Sequence, residues 1–270
     1  MSEFNKEDFK GYSGYIISEI EEGFYHVQFN NPKVLNAFSE QTWRDYHEIL
    51  TKLDQLELTN IILISSVVPK AFSSGLNMKE VAGEMSEVQK GSEQERYDKL
   101  LKHIKDFQYC IGTPARIRTP TICLLNGISY GLALDICACC TIRVATEDVK
   151  LSIREIKIGI VADIGSLQRL PALINNKSFL NEMALTGAVF GGQKALEVGL
   201  VSKVFPDLKT AEEYCKQLGS DINQNPQWAI KGTKESIQYI NDGGTAEQGL
   251  ENIALYNAKN IGGTFSNSKL

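Results

Sequence analysis

The 270-residue sequence predicts an α/β protein whose last quarter is helical, and three observations carry that prediction. Residues 61–65 (IILIS) and 121–125 (TICLL) are short, wholly apolar runs of the kind that a parallel sheet buries on both faces. Such runs alternate with segments of helical periodicity along most of the chain. From residue 209 onward helical patterns dominate, at 209–218 and 226–240, and the end of the chain is partly helical. No internal repeat or low-complexity linker interrupts the chain. The expected organisation is a tail at 1–12, a core at 13–205, a C-terminal helical region at 206–267 and a separate tripeptide at 268–270.

The elements follow in order. Residues 15–30 alternate apolar and polar positions on either side of Glu22-Gly23, which predicts two short strands joined by a tight turn. Asn31-Pro32 ends the second strand. Ser39 then precedes a helix with Trp43, Tyr46, Ile49, Leu50 and Leu53 on one side. After the strand at 61–65, residues 79–100 are so polar and charged that they are expected to form a mobile loop leading into a helix. Helical periodicity resumes over 100–117 and stops before Pro120. The strand at 121–125 runs through Asn126-Gly127 into a helix beginning near Gly131. Further strand and helix segments follow at 131–140, 142–146 and 150–153, with another helix after Gly165.

Composition excludes several classes. The chain is 43% hydrophobic and 23% charged, as ordinary globular proteins are, and its net charge of −5 offers no overall basic footprint for nucleic acid. No apolar run approaches the ~20 residues of a membrane span. The polar first fifteen residues lack the apolar stretch of a secretory signal, so a reducing compartment is expected. Cys137, Cys139 and Cys140 crowd one apolar segment, and Cys110, Cys123 and Cys215 are scattered. His26, His47 and His103 lie far from that cluster, so buried thiols and no metal site are expected. Ser268-Lys269-Leu270 reads as an address for peroxisomal import, which makes the import receptor an expected partner and the peroxisomal matrix the expected compartment.

Three stretches are candidates for chemistry. In residues 71–78 (AFSSGLNM) a glycine among small residues allows a sharp bend that presents main-chain amides, although an ordinary turn has the same signature. In residues 126–135 (NGISYGLALD) a strand passes through a glycine turn into a helix whose first amides lack intrahelical partners and suit a developing negative charge. It lacks the Gly-Lys-Ser/Thr of a phosphate-binding loop. In residues 154–171, Glu155 and Asp163 bracket an apolar run. Taken alone, Asp163 reads as a helix cap and Glu155 as a solvated charge beside Arg154 and Lys157.

In order and spacing, Asn31-Pro32 with Asn36-Ala37, the FSSGLN loop, the NGISYGLALD turn and the GSLQRLP segment resemble the landmarks of the crotonase (enoyl-CoA hydratase/isomerase) family, from about residue 15 to about residue 234. The resemblance implies a crotonase (ClpP/crotonase-like) spiral of ββα units with a C-terminal helical extension. It further implies an enzyme acting on an acyl-CoA, whose thioester oxygen is gripped by the main-chain amides of Leu76 and Leu132. Substrate contacts are implied for Asn36, Ala37, Ser74, Gly75 and Gly131, and Lys33 is expected near a phosphate. No cofactor is implied, coenzyme A being part of the substrate. Assembly into homotrimers or homohexamers is expected through residues 209–262.

Within the family, the trio Asp135, Glu155 and Asp163, with VADIGSLQRLP and GLVSKVFPD, is similar to the delta-3,5-delta-2,4-dienoyl-CoA isomerases. That resemblance implies a role in fatty-acid beta-oxidation. Moving a 3,5-diene to the 2,4 position removes a proton at C2 and returns one at C6, which suits two carboxyl groups in different protonation states. Glu155 is expected to take the C2 proton, Asp163 to donate at C6, and Asp135 to bias or orient them. The rival expectations are a delta-3-delta-2-enoyl-CoA isomerase, in which Glu155 alone suffices, an enoyl-CoA hydratase, or a non-catalytic binding protein of the same fold. The sequence departs from the family pattern at Asn77, at Gly131-Leu132-Ala133 and at Thr141, none of which is a proton carrier.

Overall fold

The computed structural model describes residues 4–88 and 90–263; the tripeptide Ser268, Lys269 and Leu270 lies outside the described residues. The chain opens with a hairpin of β1 (Tyr15–Glu21) and β2 (Phe24–Phe29), followed by α1 (Glu40–Gln55). Ser39 caps α1 by accepting the Thr42 N–H, and Trp43, Tyr46, Ile49, Leu50 and Leu53 are buried along one stripe. Three units of one kind follow. The first is β3 (Ile61–Ser66) and β4 (Ala71–Ser73) with α2 (Met78–Val88), α3 (Glu93–Ile111) and α4 (Thr113–Arg116). The second is β5 (Thr121–Leu125), β6 (Ile128–Tyr130) and α5 (Leu132–Cys139). The third is β7 (Ile142–Thr146), β8 (Lys150–Ser152), α6 (Ser166–Leu173) and α7 (Lys177–Thr186). The chain closes with β9 (Phe190–Gly191), α8 (Gly192–Glu197), β10 (Lys203–Phe205), α9 (Leu208–Asn223), α10 (Gln227–Asn241) and α11 (Ala246–Asn260).

In each unit the first strand joins one sheet and the second strand joins another. The larger sheet has the order β1-β2-β3-β5-β7-β10, and the smaller has β4-β6-β8-β9. Repeating that step three times winds the chain as a spiral of ββα turns. All pairings after the opening hairpin are parallel except β8 with β9. Parallel pairing buries both faces of β3 and β5, which is why their residues are apolar throughout. On one face of the large sheet, Phe24, Ile61, Leu63, Ile122, Leu124 and Val144 pack against Ala211 and Cys215 of α9. Helix α11, by contrast, buries none of its residues. All six cysteines are buried and unpaired.

One expectation fails. Residues 79–100 are not a loop: all of α2 beyond Met78 and the first half of α3 occupy most of that stretch. Their polarity is that of helices with little surface to bury. A capping box, in which Ser92 and Glu95 satisfy each other's main-chain N–H groups, starts α3, and an i,i+4 bond from Gln94 to Asp98 supports its first turns. The apolar anchor comes only at its end, where Phe107, Cys110 and Ile111 are buried.

Candidate active site

The small sheet gathers the site. Strands β4, β6 and β8 run parallel, with Ala71 opposite Ile128 and Tyr130 opposite Ser152, so their C-terminal ends share one edge. The residues that leave that edge are Leu76, Leu132 and Glu155.

Leu76 presents its amide through alternation. Phe38 donates its N–H to the Gly75 carbonyl at 2.9 Å and accepts the Asn77 N–H at 2.9 Å. Successive main-chain groups of an extended segment point to opposite sides, so the Leu76 N–H faces away from Phe38. The Leu132 N–H is the first amide of α5, at the positive end of the helix. Among the described residues neither N–H has a hydrogen-bond partner. Gly75, at φ +101°, lets this edge close, because a Cβ there would stand 3.1 Å from the Tyr130 carbonyl oxygen. Gly131, at φ +53°, lies against Glu155, whose Oε1 would be 2.9 Å from a Cβ at that position. The Glu155 carboxylate therefore rests beside the peptide that leads into the Leu132 amide.

The three acids, Asp135, Glu155 and Asp163, lie within electrostatic reach of one another. Glu155 begins a 3-10 turn after β8, and its Oε2 is buried without a hydrogen-bond partner. Burial raises its pKa, main-chain hydrogen bonds at Glu155 and Arg154 pull it back, and the charge of Asp163 raises it further. Asp163 is half-buried, and burial raises its carboxyl too, against smaller lowerings by a hydrogen bond from its own main chain and then by His103. Asp163 does not cap the following helix: the N-cap of α6 is Gly165, with no side-chain cap bond. Asp135, one turn into α5, is buried and accepts the Ser166 N–H at 2.6 Å, so α5 supplies the cap for α6. Burial first, and the charge of Glu155 second, push the Asp135 carboxyl up to about 7, with Asp163 adding a smaller rise.

The expected substrate contacts divide. Leu35 and Asn36 are the two non-glycine residues with positive φ among the described residues, at 51° and 54°. Asn36 is buried, and its amide is committed inward: it donates to Ser66 Oγ at 2.8 Å and the Phe72 carbonyl at 2.9 Å, and accepts the Asn31 N–H at 2.7 Å. Its side chain therefore holds the turn rather than reaching a ligand. Ala37 is buried, Ser74 bonds the Val34 carbonyl, and Lys33 stands exposed on the same turn.

Sequence reasoning missed Gln108 on α3, which donates from Nε2 to the Asp163 carbonyl oxygen at 2.6 Å. No spacing signals a bond across 55 positions. Gln108 and Asp163 line a cavity of about 570 Å³ bounded by the end of α5, by α6 and by α10. Among the described residues no cluster of three or more His, Cys, Asp or Glu is arranged to hold a metal, and no helix is long and apolar enough to cross a membrane.

Two main-chain amides without partners leave this edge beside carboxyl groups, an arrangement able to hold negative charge on an oxygen while a neighbouring proton is moved. Residues 19–258 match the family described as enoyl-CoA hydratase/isomerase. The chain is 30% identical over 247 residues to the human mitochondrial delta(3,5)-delta(2,4)-dienoyl-CoA isomerase, covering 91% of this chain and 74% of that one. It is 31% identical over 235 residues to the Arabidopsis thaliana peroxisomal protein of that name, covering 87% and 84%. Its fold is that of an enoyl-CoA hydratase from Bacillus anthracis, with a TM-score of 0.81, 23% identity and coverage of 92% and 91%. The chain belongs to the enoyl-CoA hydratase/isomerase, or crotonase, family. Within that family it is an enzyme of the isomerase kind.

Proposed function

We propose that the chain converts 3,5-dienoyl-CoA to 2,4-dienoyl-CoA in fatty-acid beta-oxidation. The observation that carries this reading is the set of three mutually interacting carboxyl groups beside two unpartnered amides. The amides of Leu76 and Leu132 receive the thioester oxygen. Glu155, ionised, removes a proton from C2, and the resulting trienolate, conjugated as far as C6, places its charge on that oxygen. Asp163, which starts protonated in this reading, delivers a proton to C6. One proton leaves and one arrives, so the product is an isomer, and exchange with solvent resets the two acids. Asp135 holds its proton up to about neutral pH. By staying neutral it lets Glu155 carry the charge, and through Ser166 it fixes the start of α6.

Purified protein given a 3,5-dienoyl-CoA is expected to generate the ultraviolet absorbance of the conjugated 2,4-dienoyl thioester. Asp163→Asn is expected to lower that rate by roughly 10²–10⁴-fold with an unchanged melting temperature. Rapid hydration of crotonyl-CoA with no diene product would reject the reading in favour of a hydratase.

Further parts of the reading have their own support. Coenzyme A lies along the positive-φ turn at Leu35-Asn36 and the Ser74-Gly75 loop, with Lys33 near a phosphate. Assembly into trimers or hexamers through α9–α11 is supported by exposed Ile237, Ile240, Leu250 and Leu255, and a particle of 30.0 kDa by light scattering would reject it. A peroxisomal location is supported by the Arabidopsis relative's name and by the Ser268-Lys269-Leu270 motif, and deleting those three residues is expected to leave a tagged chain in the cytosol.

A further inference from the structure

Asp163 is carried by the stretch between the 3-10 turn at Glu155 and the start of α6, and little main chain holds that stretch. On one side the Ile160 N–H reaches the Glu155 carbonyl at 3.2 Å. On the other the Ser166 N–H reaches Asp135 at 2.6 Å. Asp163 lies midway between these two tethers. Among the described residues, the main-chain groups of 161–164 make one hydrogen bond to another residue, the one that Gln108 donates to the Asp163 carbonyl oxygen at 2.6 Å. Ala162 and Ile164 are buried on either side of Asp163, but Ile160 and Val161 are exposed. The cavity of about 570 Å³, lined by Gln108, Asp163, Ile164 and Gly165 among others, borders the stretch, so packing does not enclose it there. A segment with few contacts beside open space moves unless something ties it.

The tie comes from the anchored part of α3. The first half of that helix is exposed, whereas Phe107, Cys110 and Ile111 are buried at its end. Phe107 stacks on Trp43 of α1, with ring centroids 5.0 Å apart. Gln108 is the next residue, so its reach towards Asp163 is set by that packing. The same helix bears on Asp163 a second time through His103, whose lowering of the carboxyl is smaller than the rise from burial. His103 in turn packs edge-on against Trp43 and faces Glu40 at 3.8 Å. Gln108 bonds the main chain of Asp163 and leaves its carboxyl alone. Among the described residues that carboxyl has no hydrogen bond to another residue, which leaves it free to give a proton to a ligand.

We infer that Gln108 is a positioning residue for proton transfer at C6: from the anchored end of α3 it fixes the main chain at Asp163 and so keeps the carboxyl within reach of the carbon. The inference rests on the dienoyl-CoA reading, in which Asp163 is the donor. Gln108 itself touches no substrate in this role. A donor works only within hydrogen-bond reach, and a misplacement of about 1 Å can cost on the order of 10²-fold in rate.

The test is a double-mutant cycle on the full chain with a 3,5-dienoyl-CoA, following the diene absorbance. Gln108→Leu keeps the size of the side chain and removes the donor. It is expected to lower kcat about tenfold or more, with KM and melting temperature close to those of the parent. In an Asp163→Asn background, measured at high enzyme concentration, the same substitution is expected to cost less than about twofold, because the group it positions is already gone. A parental kcat for Gln108→Leu, while Asp163→Asn is slow, overturns the inference and leaves the reaction standing. An equal loss in both backgrounds, or a loss that follows a lowered melting temperature, makes Gln108 a general support and also overturns it. No diene product from the parent, or a parental rate for Asp163→Asn, overturns the reading of the reaction and the inference with it. Should Gln108→Leu not fold, Gln108→Glu, which suits the exposed position and cannot donate when ionised, takes its place under the same criteria.

Discussion

The amide side of the site, at Leu76 and Leu132, is made of main chain, whereas the acid side, from Glu155 to Asp163, is made of side chains carried on a turn and the stretch after it. The amides are aimed by sheet register, by the Phe38 bridge and by glycine at 75 and 131. Side-chain identity at 76 and 132 contributes little to that aim, which is how leucine stands at both. The acid side depends on identity instead. In the proposed reaction Glu155, Asp163 and Asp135 act through their protonation states, which burial raises in all three and which the neighbouring acids raise further in Glu155 and Asp135. The lesson is that substitution at the two sides should fail in different ways. On the acid side chemistry is lost while the fold survives, and on the amide side geometry is lost.

The largest effect is expected on the acid side. Glu155→Gln keeps the shape and removes the base, so kcat for diene formation should fall by roughly 10²–10⁴-fold while the melting temperature holds or rises. An unchanged rate would transfer the base to another residue. The glycine that joins the two sides comes next. Gly131→Ala places a Cβ against Glu155 Oε1 at a φ of +53°, so both the carboxylate and the Leu132 amide must shift. A loss of one aimed amide corresponds to a fall of about 10²–10³-fold in kcat. Here the melting temperature should drop as well, and a stable, active Gly131→Ala would show that the amide is not aimed by this contact.

The contrast between the two sides also governs what was readable from sequence. Helix α1 was legible because its cap at Ser39 and its stripe from Trp43 to Leu53 are local patterns. Strands β3 and β5 were legible as unbroken apolar runs. The three-residue strands β4, β6 and β8 are too short to show a period, so the loops after them were legible only as turns, and their common edge emerges only from pairing. Residues 79–100 were misread because helices whose described side chains are exposed or only partly buried have the composition of a loop. The acids could be named by resemblance, but what tunes them could not: the Ser166 N–H reaches Asp135 across 31 positions, and Gln108 reaches the Asp163 carbonyl across 55.

A smaller effect is expected where the amide side is anchored. Asn36→Ala removes an amide with hydrogen bonds to Ser66, Phe72 and Asn31 and puts alanine at a φ of 54°. Leaving those buried groups unpaired should cost about 2 kcal/mol or more, or a fall of about 4 °C or more in melting temperature. Activity should fall with it, since β4 and the Gly75-Leu76 turn depend on that anchor. A normal melting temperature with a raised KM would instead return Asn36 to direct contact with coenzyme A.

The smallest effect expected is in the pH dependence of stability, and it tests whether the acids interact as argued. The Asp135 carboxyl is raised to about 7 in the folded chain, chiefly by burial, from an ordinary value near 4 in the unfolded chain. Between those limits the unfolded chain loses the proton while the folded chain keeps it, so ionisation favours unfolding as pH rises. The stability associated with this group is therefore complete below about pH 4, declines between about 4 and 7, and stays lost above that. Asp135→Asn cannot ionise, yet its side-chain oxygen can still accept the Ser166 N–H. The variant should melt at least about 2 °C above the parent at pH 8, with the difference shrinking towards pH 4. A difference of the opposite sign, or one independent of pH, would mean that the buried carboxylate is held ionised, and Glu155 would then lack the neutral neighbour that lets it act as the base.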